Sequence, residues 1–330
     1  MRVAVVGAGA TGGFIGARLE RAGADVVLIA RGAHLAAMRS RGLRVLEGRS
    51  GFSVHPDCTD DLGAIGQAGL VILTLKAHSL PPIARELAAA LAPGAVVVSA
   101  QNGIPWWYFQ RHGGPLEGTR LRSVDPEGAL AENIDPARLL ASVVYPATRL
   151  AEPGVVEHVE GTRLSVGELD GTRSERVEQV SGMLTGAGFK APVQRRIRQE
   201  LWLKLLGNAA FNPVSALTGA TLAEIGDDPL ALALVRAVME EADAVARGLK
   251  VEIPIGIDRR IEAARAVGDH KTSMLQDLEA GRPLEVEALV GALIELGGLV
   301  GVPTPHLETL HATVALLDRT RTRRRLAGRG

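Results

Sequence analysis

Arg2-Val3-Ala4-Val5-Val6-Gly7-Ala8-Gly9-Ala10-Thr11-Gly12-Gly13-Phe14-Ile15-Gly16-Ala17-Arg18-Leu19 stands at the start of the chain. An apolar run suited to a buried strand passes into a glycine loop and then into an amphipathic helical pattern. In that setting Gly7, Gly9 and Gly12 form the G-x-G-x-x-G fingerprint of a dinucleotide-binding unit, whereas three such glycines alone would carry little weight. Gly7 permits the tight turn and Gly9 lets a pyrophosphate approach the backbone. Gly12 lets the helix close onto its strand, with the first helical N–H groups facing the anion. Gly7, Ala8, Gly9, Ala10, Thr11 and Gly12 are therefore the expected cofactor-binding loop. The alternative is a flexible loop without a ligand, but glycines at these positions cost helix stability unless something must come close.

The second strand decides which dinucleotide. Ala24-Asp25-Val26-Val27-Leu28-Ile29 ends at Ala30-Arg31, where an NAD site would place a carboxylate for the ribose 2′-OH. Arg31 can instead pair with a 2′-phosphate through a charge-assisted contact, so the expected cofactor is NADP(H). The plainer alternative is a solvated cation at a strand end.

With 330 residues, two domains are the natural expectation, and 46% hydrophobic content supports substantial cores. Lys plus Arg equals Asp plus Glu at 37 each, so no global charge draws the protein to nucleic acid or to an anionic membrane. A small-molecule substrate follows, and the sequence admits a homodimer. The single cysteine, Cys58, excludes an intrachain disulfide and fits a reducing, cytoplasmic location. The apolar N-terminus is broken by five glycines before Arg18, unlike a secretory signal, and no stretch approaches the ~20 apolar residues of a membrane span. The basic stretch Arg319 to Arg329 reads as a frayed, solvated tail.

Beyond Arg31 a helix over Gly32 to Met38 and short strands near Leu43 to Leu46 and Phe52 to His55 are expected. Gly69 to Leu75 and Ala95 to Ala100 are nearly continuous apolar runs, as in parallel strands covered on both faces, with helix Pro82 to Leu91 between them. They end at Lys76 and at Gln101-Asn102-Gly103. Ligands of open α/β sheets lie beyond the carboxyl ends of the strands, where Arg31, Lys76 and Asn102 fall. A snorkelling surface lysine and an ordinary Asn-Gly turn are the competing readings. Residues 104–138, with Trp106-Trp107-Tyr108-Phe109, look like an irregular insertion packing its aromatics near the cleft. Short strands follow at Ser142 to Tyr145, Gly154 to His158 and Leu164 to Gly167, then a helix Glu175 to Gly186, while Phe189 to Val193 could close the sheet.

From residue 194 the signals turn helical. The expected fold is α/β: an N-terminal Rossmann-type doubly wound sheet over 1–193 and an all-α substrate domain over 194–330. Between Leu201 and Asn212 the only polar side chains are Lys204, Asn208 and Asn212, recurring every four residues on an otherwise apolar helix. Pro213 then ends or kinks that helix, leaving Asn212 at its boundary. A lysine held there loses hydration, so its pKa falls toward the range useful for proton transfer. Lys204 is thus the candidate general acid. A salt bridge to Glu200, one turn earlier, would explain the lysine but not the two asparagines. Farther on, Pro283 marks a helix start, with Glu285 and Glu287 in its first turn, and Ser273 is a possible N-cap.

Taken together, these motifs resemble the ketopantoate reductase (2-dehydropantoate 2-reductase) family over nearly the whole length. The resemblance rests on the glycine loop with Arg31, Leu75-Lys76-Ala77, Gln101-Asn102-Gly103, Glu200 to Leu205 with Asn208 and Asn212-Pro213, Ser273 to Asp277, and Leu284-Glu285. It implies hydride transfer from NADPH to C2 of ketopantoate, giving pantoate for pantothenate and coenzyme A synthesis. Carried over, Lys204 would be the proton donor, and Asn102 would contact nicotinamide and substrate. Lys76 would lie near the cofactor, Asn208 and Asn212 would line the substrate site, and Ser273 would bind the substrate carboxylate or hydroxyl. Glu285 would complete the site as a second catalytic residue that also contacts the cofactor. Where the family commonly has an Asp two positions after the glutamate and an Asn-Gly pair, this chain has Glu287 and Val290-Gly291. Another branched or aromatic 2-oxo acid, an opine- or hydroxyacid-type reaction, and a non-catalytic NADP(H) sensor are the alternatives.

Overall fold

The computed structural model describes residues 1–327, which separate into two compact units. The first comprises Met1–Arg120 and Asp125–Ile197; the second takes Leu121–Val124 and the chain from Arg198 onward.

In the first unit the chain runs β1 (Arg2–Val6), α1 (Ala10–Arg21), β2 (Asp25–Ile29), α2 (Gly32–Arg41), β3 (Leu43–Glu47), β4 (Ser50–Val54) and β5 (Asp57–Thr59). It continues through β6 (Leu70–Leu73), α3 (Ala84–Ala90), β7 (Val96–Ser99), α4 (Ala129–Asn133), β8 (Leu139–Val144), β9 (Ala147–Glu152), β10 (Val155–Glu160), β11 (Leu164–Glu168) and α5 (Glu175–Gly186). Seven strands form one sheet in the order β11-β8-β7-β6-β1-β2-β5, parallel throughout except for β11 at its edge. This is the doubly wound arrangement expected, with the chain running outward from β1 first through β2 and β5 and then on the other side through β6, β7 and β8. Val3 to Val6 and Leu70 to Leu73 are all but inaccessible to solvent, as their unbroken apolar runs demand.

Three features differ from the expectations. A second sheet, β4-β3-β10-β9, packs on the far side of α1. Phe14 of α1 stacks on His158 of β10 with centroids 4.4 Å apart, and Arg18 lies over Phe14 while pairing with Glu47 of β3. Next, β6 stops at Leu73 rather than running to Leu75, and just past it the Thr74 N–H donates to the Val6 carbonyl and its hydroxyl to the Gly7 carbonyl, each at 2.9 Å. Finally, Phe189 to Val193 adds no strand. Lys190 and Val193 make only isolated bridges to Arg163 and Val166, and Pro192 between them has no N–H for a ladder. The aromatics at 106–109 are core residues, and the Trp107 indole donates to Ser99 Oγ at 2.7 Å.

The second unit is built from α6 (Ile197–Thr218), α7 (Leu222–Asp227), α8 (Pro229–Gly248), α9 (Ile257–Arg265), α10 (Ser273–Glu279), α11 (Ala292–Val300) and α12 (Pro305–Ala327). Several of its helix starts are capped by side chains. Asp228 accepts from Leu230 and Ala231 at the start of α8, and Glu241 of α8 accepts from His306 and Leu307 at the start of α12. Glu295 of α11 accepts from the backbone of Arg122 and Ser123 at 2.8 and 2.9 Å, which is why that short stretch belongs with the helices. The basic C-terminal stretch is not frayed: α12 continues to Ala327, and Arg321 and Arg325 donate to carbonyls of Leu278 in the last turn of α10 and of Gly281 and Arg282 just past it. Arg329 lies outside the described residues. No described helix is long and apolar enough to cross a membrane.

Candidate active site

The glycine loop is shaped from both sides by the sheet. Gly7 has φ +98°, and its N–H and that of Ala8 donate to the Ile29 carbonyl at 3.0 and 2.9 Å. A Cβ on Gly12 would stand 2.3 Å from Thr74 Oγ1 and 2.6 Å from the Gly7 carbonyl, so only glycine lets α1 seat here. Gly9 differs, since a Cβ on it would meet nothing closer than 3.9 Å. It is exposed and precedes α1, whose first turn carries no acidic residue and whose N-cap offers no side chain. Fold packing therefore does not require glycine at position 9, while a dinucleotide pyrophosphate crossing the start of α1 would. The loop thus fits the cofactor its fingerprint implies. Ala8 is buried beneath it, and Ala10 and Thr11 begin the helix, with Thr11 Oγ1 3.2 Å from Thr148 Oγ1 of β9.

Around this loop are the other strand ends. Arg31 is exposed just past β2, with an extended backbone leading into α2. Lys76, half-buried, begins a short 3-10 turn three residues past β6. Asn102 is half-buried three residues past β7, between Gly103 with φ +83° and Gln101, whose amide donates to the Leu73 carbonyl at 2.7 Å. That contact ties the ends of β6 and β7 together. Parallel strands β1, β2, β6 and β7 thus bring the loop, Arg31, Lys76 and Asn102 to one edge of the sheet.

In the second unit, α6 carries the polar stripe. Leu201, Trp202, Leu205, Leu206, Ala209, Ala210 and Phe211 are buried, whereas Lys204 and Asn208 are half-buried. Pro213 does not end the helix, which runs on to Thr218, and Asn212 is interior to it rather than at its boundary. The helix continues although Pro213 has no N–H, which leaves the Ala209 carbonyl without its usual helical donor. Asn212 donates to Ser273 Oγ at 3.4 Å. Thr272, not Ser273, is the N-cap of α10, accepting from Leu275, so the Ser273 hydroxyl is not committed to capping. Glu285 directly precedes a helical segment that begins at Val286 with a π-helical turn over Glu287–Gly291. The helix starts later than Pro283 would suggest, and the Leu284 N–H donates to Asp318 of α12 at 3.3 Å.

Burial pushes the Lys204 ammonium down to about 8, with the Glu285 carboxylate opposing that shift and the Arg260 guanidinium adding to it. The charges that shift Lys204 are thus Glu285 and Arg260. Arg260, on α9, was not singled out from the sequence. The available signal was Gly207, a glycine inside an apolar helix one turn from Lys204. An amine that titrates near neutrality beside a carboxylate can give up a proton and be recharged.

Two family models cover most of the chain: ketopantoate reductase PanE/ApbA over residues 3–171, and its C-terminal counterpart over residues 196–318. The chain belongs to the ketopantoate reductase family. A 2-dehydropantoate 2-reductase of Mesorhizobium japonicum is 50% identical over 320 residues, covering 97% of each chain. A solved structure from Ralstonia solanacearum superposes with a TM-score of 0.91 at 41% identity, covering 97% of this chain and 98% of that one. A PanE/ApbA family ketopantoate reductase from Ralstonia eutropha gives 0.84 at 30% identity, covering 98% and 100%. Family membership, together with the glycine cradle, assigns the first unit to dinucleotide binding.

Proposed function

We propose that this protein is an NADPH-dependent 2-dehydropantoate 2-reductase, converting ketopantoate to pantoate for pantothenate and coenzyme A synthesis. The observation that carries the reading is Lys204, an amine on the polar stripe of an otherwise apolar helix, whose pKa burial brings down to about 8 against the opposing charge of Glu285. The close match to a relative of that name supports the substrate.

NADPH, when bound, supplies the hydride that adds to C2 of the 2-oxo acid. The N–H groups at the start of α1 hold the pyrophosphate, and Arg31 pairs with the 2′-phosphate. Lys204 places its ammonium on the C2 oxygen and delivers a proton as negative charge develops there, which stabilises the transition state more than the ground state. Glu285 favours the charged lysine, so the neutral amine left by the transfer regains its proton from solvent for the next turnover. Asn208, Asn212 and Ser273 orient the polar groups of the acid, while Asn102 and Lys76 position the nicotinamide end. We extend the reading to a cytoplasmic homodimer. Burial raises the Cys58 thiol to about 11, which keeps it protonated and unreactive.

The deciding experiment is a panel of 2-oxo acids assayed by NADPH oxidation with purified protein. Ketopantoate should show the highest kcat/KM. A clear preference for another acid would replace the substrate, and cofactor binding without any turnover would overturn the enzyme reading.

A further inference from the structure

Arg260 occupies an unusual seat. Its guanidinium lies against the backbone of α6 at Gly207. A Cβ on that glycine would stand 2.4 Å from Nη2, 2.8 Å from Cζ and 2.8 Å from Nε, with no other atom among its three nearest neighbours. Glycine inside a 22-residue helix is otherwise a poorer choice than alanine, so its evident use here is to admit the arginine. Arg260 is half-buried while its neighbours Asp258 and Arg259 are exposed, and Asp258 is engaged on the outside by Arg236 at 2.6 Å. Gly207 adjoins Asn208 and lies one turn from Lys204, so the guanidinium stands at the polar stripe. Its positive charge is felt by Lys204. Arg260 thus brings a second positive charge to act at the stripe beside Lys204 and Glu285, and a guanidinium in that place suits an incoming anion.

We propose that Arg260, seated on Gly207, receives the carboxylate of the 2-oxo acid and so selects acids over their neutral analogues. This rests on the reductase reading and adds to it the group that recognises C1. The geometry suits the chemistry. Lys204 is needed at the C2 oxygen, and Glu285 would repel a carboxylate. A permanently charged, planar fork can take both carboxylate oxygens at once.

The test compares the acid that wild-type protein reduces best with its primary amide, at saturating NADPH. Wild-type protein should favour the acid by about 100-fold in kcat/KM, and Arg260→Ala should raise KM for the acid about 50-fold while changing kcat and amide turnover little, which collapses the preference. Gly207→Ala should push the guanidinium off its seat and raise KM for the acid about fivefold to tenfold without lowering the melting temperature. Affinity for NADPH should be unchanged in both variants, and Arg260→Lys should recover part of the loss. Equal losses on acid and amide, or an unchanged KM for the acid in Arg260→Ala, would overturn the assignment. Calorimetric titration of ketopantoate and of its primary amide into NADPH-loaded wild-type and Arg260→Ala protein needs no turnover. It therefore decides the carboxylate role even if the reductase reading fails.

Discussion

The glycine loop of the first unit and the lysine cluster of the second are built in opposite ways. The loop is a single contiguous stretch, Gly7 to Gly12, whose working groups are backbone N–H donors exposed by the absence of side chains. The cluster takes Lys204 from α6, Arg260 from α9 and Glu285 from the residue before the helix beginning at Val286. A site made of backbone needs particular residues at fixed spacing, while a site made of charges needs helices packed so that distant residues meet. The first tolerates no added atom at certain positions; the second depends on which charge faces which.

The sharpest way to break this contrast is at the lysine. Lys204→Ala should lower kcat by about two orders of magnitude or more while leaving NADPH affinity intact, checked by steady-state kinetics and a fluorescence titration. A comparable kcat would remove the amine from the chemistry. The same group sets the pH dependence. Reduction needs the ammonium, so kcat for the oxo acid should fall about tenfold per pH unit above about 8, whereas oxidation of the hydroxy acid, which needs the neutral amine, should rise through the same range.

The loop can be probed by two alanines that should behave differently. Gly12→Ala forces a Cβ into Thr74 Oγ1 and the Gly7 carbonyl and should cost about 2–3 kcal/mol of stability, read by denaturant melts. Gly9→Ala meets no protein atom closer than 3.9 Å, so its stability should be preserved while NADPH binding weakens by about tenfold. If both variants lost only stability, the open space at Gly9 would have no connection with a ligand. Arg31→Ala, the smallest change to the fold, should weaken NADPH binding by about tenfold or more with little effect on NADH. Equal effects on the two cofactors would return Arg31 to the role of a solvated strand-end cation.

Much of the molecule was legible before folding was considered. Parallel strands buried on both faces announce themselves as unbroken apolar runs, and α5 begins and ends at the residues its pattern marks. The smaller sheet was not legible as such. Its β3–β10 pairing joins segments more than a hundred residues apart, and short half-exposed strands carry no signal about their partners. Glu287 and Gly291 also acquire a meaning only in three dimensions. A Cβ on Gly291 would fall 2.2 Å from Glu287 Oε2, and Glu287 in turn meets His311 of α12 at 2.9 Å.

By itself the sequence determined the doubly wound unit, its nucleotide loop and the face of α6 that carries Lys204, Asn208 and Asn212, because each follows from spacing along a single strand, turn or helix. Only the tertiary structure decided that α6 runs through Pro213, that Thr272 rather than Ser273 caps α10, and that Arg260 settles on Gly207 within electrostatic reach of Lys204. Those outcomes depend on which helices pack together. Desolvation and Coulomb interactions act through space, and their effect on a lysine cannot be read from its neighbours in the chain.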